Sequence, residues 1–121
     1  MTETWEQLKS RGYIDSRDIL ERLHELEAQD ELDEDETEEL DTLRDINRQG
    51  EDYASDWQYG ATMIPRRDWV EYAQELAEEI GAISPDAQWP LSYIDWEEAA
   101  NALEMDYSSI EVDGVEYLVR Q

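Results

Sequence analysis

Apolar residues recur at helical spacing along much of this chain and at strand spacing only near its end. Ile19, Leu20, Leu23 and Leu26 fall three or four positions apart and predict a helix over 17–29, with Ser16 as its N-cap. A short helix over 4–10, ended by Arg11 and Gly12, is expected before it. Leu40, Leu43 and Ile46 form a thin stripe that predicts a helix over 34–49, with Gly50 as its stop. Residues 51–65 carry no clear period and read as loop or short irregular structure.

A further helix is expected over 66–80, burying Trp69, Val70, Ala73, Leu76, Ala77 and Ile80 and ending at Gly81. Residues 84–90, with Pro85 and Pro90, read as loop. Asp95 is placed to cap a last helix over 96–104, which would bury Trp96, Ala99, Ala100 and Leu103. The period then changes. Residues 108–112 and 115–119 alternate on either side of Asp113-Gly114, the signal of a two-residue hairpin. In that register Val112 opposes Val115, Ile110 opposes Tyr117, and Glu111 opposes Glu116. The last pair sets like charges across the hairpin, at a cost in stability. The expected class is α+β and predominantly helical: four to five helices and a C-terminal antiparallel hairpin. It reads as one domain over 1–121, divisible into a helical part, 1–58, and the remainder, 59–121.

Charge changes the picture most. Thirty-four Asp and Glu face nine Lys and Arg, a formal net charge of -25. Acidic disordered chains are poor in aromatics, whereas this one has five Trp and seven Tyr, so a folded core under a charged coat is expected. Residues 30–41 hold nine carboxylates and no base, and fourteen more carboxylates lie between Asp68 and Glu116 with no Lys or Arg among them. Earlier bases are spaced for local helical pairing: Asp18 with Arg22, Asp41 with Arg44, and Arg17 with Glu21. Such a surface opposes nucleic acid and anionic lipid, and a basic cleft is its natural complement.

The composition excludes much else. There is no cysteine, hence no disulfide, thiolate nucleophile or Cys-based metal site. No apolar run reaches the ~18 residues of a membrane span, and the N-terminal residues lack the pattern of a signal peptide. An intracellular protein, without membrane association, is expected. His24 is the single histidine and reads as a boundary residue of its helix. Carboxylate pairs such as Asp33/Asp35 and Glu78/Glu79 are too numerous for any one to mark an acid–base site. Residues 33–40 alternate acids at first but lack the glycine of a calcium loop. No enzyme, no cofactor and no metal site is expected.

Twenty-five net charges match about 40 Å of duplex DNA, roughly 12 base pairs. Helical carboxylates three or four apart lie ~5–6 Å from one another, close to the spacing of phosphates along a strand. The candidate partner-binding residues are therefore Asp30, Glu31, Asp33, Glu34, Asp35, Glu36, Glu38 and Glu39 in the first acidic run, with Glu71, Glu75, Glu78 and Glu79 on the helix over 66–80. Two other readings stay open. Part of the acidity could be adaptation to high salt, or Trp57, Tyr59, Trp89 and Tyr93 could form the working surface of an adaptor. Crowded carboxylates are expected to titrate high, so that mild acidification would help stability or leave it unchanged.

The run Tyr93-Ile94-Asp95-Trp96-Glu97-Glu98-Ala99-Ala100, then Leu103, then residues 105–120 with Asp106-Tyr107, Asp113-Gly114, Tyr117 and Arg120, resembles the C-terminal segment of ArdA-type antirestriction proteins and related small phage proteins. The likeness extends upstream through Tyr59-Gly60 and covers about residues 59–121. It implies an acidic DNA-mimic protein of a phage or mobile element, working in the host cytoplasm. Such a protein occupies the DNA-binding groove of a restriction–modification complex. Members of that family are longer and dimerise, which raises the prospect of a homodimer. The same strategy serves anti-CRISPR inhibitors that block DNA binding by a CRISPR effector complex.

Overall fold

A computed structural model describes residues 2–121. The fold is α+β and mostly helical. Its elements run α1 (Trp5–Lys9), β1 (Ile14–Asp15), α2 (Ser16–Glu27), α3 (Glu34–Tyr53), α4 (Trp57–Gly60), β2 (Thr62–Pro65), α5 (Trp69–Glu79), α6 (Trp96–Leu103), β3 (Tyr107–Val112) and β4 (Val115–Arg120). Single 3-10 turns precede α5 and β3. The strands form one antiparallel sheet in the order β1-β2-β4-β3.

Helices cover both faces of this sheet. Met63, Ile110, Val112, Tyr117 and Val119 pack with the buried faces of α1, α2 and α3. The alternate residues Ile64 and Leu118 pack on the opposite side with Trp69, Ala73 and Ala100 of α5 and α6. Neighbouring strand residues point to opposite faces, so Tyr117, Leu118 and Val119 are all buried. The first core draws on residues from Trp5 to Val119, so the N-terminal helices and the C-terminal hairpin share it.

The hairpin register is the one expected, with Val112 opposite Val115, Ile110 opposite Tyr117 and Glu111 opposite Glu116. Asp113 and Gly114 both take positive φ, 51° and 79°, the conformation this turn requires. On the outer edge of β3, the Gln49 side chain donates to the Glu111 carbonyl and accepts from the Glu111 amide, each at 3.2 Å.

Several local expectations are corrected. Ser16 is not an N-cap. Asp15 caps α2 by accepting from the Arg17 amide, and Ser16 is fully buried. The Ser16 hydroxyl donates to the Trp57 carbonyl and accepts from the Ala61 amide, both at 2.7 Å. Gly50 does not stop α3, which runs on to Tyr53. A Cβ at Gly50 would stand 2.2 Å from the Trp57 ring, so the glycine is there to let that ring approach. Residues 51–65 are therefore not a loop but the end of α3, α4 and strand β2. The helix expected over 66–80 begins as a 3-10 turn and becomes α-helical at Trp69. Val70 and Ile80 point to solvent. In α6 only Ala100 is fully buried, Trp96 and Leu103 are half-buried, and Ala99 is exposed.

Buried indoles satisfy their N–H groups, as their burial demands. Trp5 donates to Asp113 at 3.2 Å, Trp57 to Asn47 at 2.9 Å and Trp69 to the Ala100 carbonyl at 2.9 Å.

Candidate functional site

The three expected helical pairs do not form; Lys9 with Glu6, Arg22 with Glu25 and Arg48 with Asp45 pair three positions apart within their helices, and other contacts cross between elements. Arg11 pairs with Glu3 and Asp18, Arg17 with Asp15, Arg44 with Glu27, and Arg22 also with Glu39. Arg66 donates to both oxygens of Glu104 at 2.9 Å and also binds Glu116. It thereby neutralises one member of the Glu111–Glu116 pair.

In all, eleven of the 34 carboxylates join an ion pair, and among the described residues the other 23 do not. Between Asp68 and Glu116 the paired ones are Asp68, Glu104 and Glu116. Eight of the nine Lys and Arg side chains are thus engaged in internal ion pairs, Arg120 being the exception among the described residues, and most of the remaining negative charge faces water.

The first acidic run is partly structural. Asp30 and Glu31 lie exposed in the connection between α2 and α3. Asp33 caps α3 by accepting from the Glu36 amide at 2.7 Å, and Glu36 reaches back to the Asp33 amide at 3.3 Å. Acids here suit the positive end of the helix. Glu34, Asp35 and Glu38 project to solvent. Glu39 does not: it accepts from Arg22 at 2.8 and 2.9 Å and from the Trp5 amide at 2.9 Å. Burial pushes its carboxyl up, but Arg22 and the Trp5 amide more than offset this and hold it below the ordinary range.

The fold brings Glu6 of α1 and Asp113 of the hairpin tip to the first turns of α3, where they line one concave surface with Asp33, Asp35 and Glu38. No local sequence signal joins Glu6 and Asp113 to that run, because a Trp5 contact of long sequence separation does so.

The second set lies elsewhere. On α5, Glu71, Glu75 and Glu79 are exposed and Glu78 is half-buried. Glu75 accepts from the Tyr13 hydroxyl at 3.3 Å. Burial first, and then Glu75, push that hydroxyl up to about 12. Because α3 and α5 pack on opposite faces of the sheet, the two acidic sets do not merge into one patch. Each face of the molecule carries its own. The α5 side is extended by Asp86, Asp95, Glu97 and Glu98, all exposed and outside the twelve residues singled out from sequence.

Of the four aromatics proposed as an adaptor surface, Trp57 is buried in the core, whereas Tyr59, Trp89 and Tyr93 are exposed. His24 is exposed near the end of α2. Among the described residues no group of three or more His, Asp or Glu converges to hold a metal ion, and no helix is long and apolar enough to cross a membrane.

Comparison with known proteins identifies no relative. No family model, no curated protein and no solved structure matches the chain.

Proposed function

We propose that this protein is a DNA mimic that inhibits a host defence system of bacteria, occupying the DNA-binding groove of a restriction–modification complex. The observation that carries this reading is the disposition of charge: eight of the nine Lys and Arg side chains are tied into internal bridges, while among the described residues 23 carboxylates stand without a cationic partner, on both sides of the sheet. A duplex likewise presents negative charge on all sides, and a basic groove accepts either. The resemblance of residues 59–121 to ArdA-type proteins points the same way. A CRISPR effector complex offers the same kind of groove, which makes anti-CRISPR activity the closest variant of this reading. Catalysis plays no part in the proposal.

The test is competition. A purified restriction–modification complex and a DNA-targeting CRISPR effector complex are each given labelled target duplex and increasing protein. Displacement of duplex from either complex, weakening steeply as salt rises, is the expected result. A chain carrying Asp33→Asn, Asp35→Asn, Glu38→Gln, Glu71→Gln, Glu75→Gln and Glu79→Gln should compete at least tenfold more weakly. Failure to displace duplex from both complexes at low salt would end this reading.

A further inference from the structure

The connection between α5 and α6 carries a set of apolar side chains that the core does not use. Trp89 is 78% exposed, Tyr93 79%, Leu91 62% and Ile80, at the end of α5, 70%. Single exposed apolar residues are ordinary, but a Trp, a Leu and a Tyr, each more than 60% exposed within five residues of one turn, are what a contact surface presents.

These side chains sit on a built turn. The Ser92 amide donates to the Gln88 carbonyl at 3.1 Å and the Tyr93 amide to the Pro90 carbonyl at 3.0 Å, so Trp89, Leu91 and Tyr93 share one hydrogen-bonded unit. Its root is fixed at both ends. The amides of Ala82 and Ile83 donate to the Ala77 carbonyl, and Asp95 caps α6 by accepting from the Glu98 amide at 3.2 Å.

Charge around the turn selects the occupant. Glu79, Asp86, Asp95, Glu97 and Glu98 border it, and none of them has a cationic partner among the described residues. A second copy of this chain, also at -25, would bring like charge against like, and an anionic membrane would do the same. A basic protein surface is favoured on both counts.

We infer that the 80–93 turn is the anchor of the inhibitory interface, with Trp89, Leu91 and Tyr93 entering an apolar pocket at the rim of the partner's basic DNA-binding groove. This rests on the DNA-mimic reading and adds to it. Carboxylates give attraction and rate to any basic groove, whereas buried aromatics supply most of the energy at protein interfaces and distinguish one groove from another. Phosphate mimicry alone would bind every DNA-binding protein alike.

The experiment uses the full-length chain immobilised in three forms: wild type, Trp89→Ser/Leu91→Ser/Tyr93→Ser, and the six-fold neutralised variant given above. Each is confirmed folded by its melting curve. The probe is the protein fraction of a bacterial host that duplex DNA-cellulose retains. Whatever the wild type holds is released with increasing free duplex DNA and then identified. The expected result is a retained DNA-binding protein that both variants bind at least tenfold more weakly. The turn variant should dissociate faster with an unchanged dependence on salt, and the neutralised variant should lose that dependence.

Full retention by the turn variant overturns this inference and leaves the DNA-mimic reading standing. Retention of nothing by the wild type overturns both. Loss by the turn variant alone, with the neutralised form binding normally, means a partner without a basic groove and also overturns both. A wild-type dimer in sedimentation that the turn variant abolishes would show that a second copy covers the turn, and would overturn the inference.

Discussion

The guanidinium of Arg22 lies against the carboxylate of Glu39 with two bonds, Nε to Oε2 at 2.8 Å and Nη2 to Oε1 at 2.9 Å, where both side chains are largely withdrawn from water. The pair joins α2 to α3, and the Trp5 amide ties α1 to the same carboxylate. Removing Glu39 would leave the buried guanidinium with Glu25 alone, at 3.2 Å, in place of two further bonds, and a buried pair that loses one member is strongly destabilised. Glu39→Gln should therefore cost about 3 kcal/mol in a denaturant melt, and Arg22→Met/Glu39→Leu should recover most of that loss. A double variant no better than the single would mean that the pair stabilises as a pair.

The pH dependence follows from the carboxyls that depart from the ordinary range. Asp15 and Glu104 lie below it through hydrogen bonds from Arg17 and Arg66, Glu25 through bonds from Thr2, and Glu39 despite its burial. A depressed folded-state pKa contributes stability that is present above the unfolded value and is lost as pH falls through the folded one. At these four sites acidification below the usual carboxylate range of about 4 should destabilise. This is the opposite sign to the help expected from crowding alone. Melting temperatures between pH 7 and pH 3 should hold level and then drop. A rise at the lowest pH would show that relief of repulsion among the exposed acids outweighs these four sites.

Arg66 binds Glu104 and Glu116 together. Arg66→Gln should cost about 1 kcal/mol, the scale of an exposed ion pair, and should leave Glu116 facing Glu111 unscreened. Added salt should restore part of the loss. A variant as stable as the parent at low salt would show that the opposed glutamates tolerate each other without the guanidinium.

Gly50→Ala places a methyl group against the Trp57 ring, whose indole N–H is also held to the same helix by its bond to Asn47. About 2 kcal/mol of destabilisation is expected. An unchanged melting temperature would show that α3 and α4 can separate slightly without loss.

The many carboxylates without a cationic partner repel one another. Raising salt from about 10 mM to several hundred mM should raise the melting temperature, since the Debye length is near 10 Å at ~0.1 M. A flat response would mean that the charges are already compensated, and unfolding below ~1 M salt would favour adaptation to high salt.

What could be read in the sequence was what depends on neighbours along the chain. The hairpin register followed from Asp113-Gly114 and the alternation around it, and the helices followed from their apolar stripes. What failed depends on distant contacts. Gly50 looks like a stop because its helical neighbours do not reveal Trp57 seven residues on, folded back against it. Ser16 looks like a cap because its partners Trp57 and Ala61 lie more than 40 residues away. The same holds for the acidic surface. Its extent was visible from composition, but the division between the two faces of the sheet, and the inward turn of Glu39, needed the fold.

The amide of Gln49 meets Glu111 as a neighbouring strand would, giving one bond and taking one. A sheet edge normally invites another strand, and here a residue of the long acidic helix already holds that position on the hairpin's outer strand. A visiting chain that sought to lengthen the sheet would have to displace Gln49, and it would do so beneath a helix bristling with negative charge. At Glu111, then, the place a visiting strand would take is already filled by a side chain of α3.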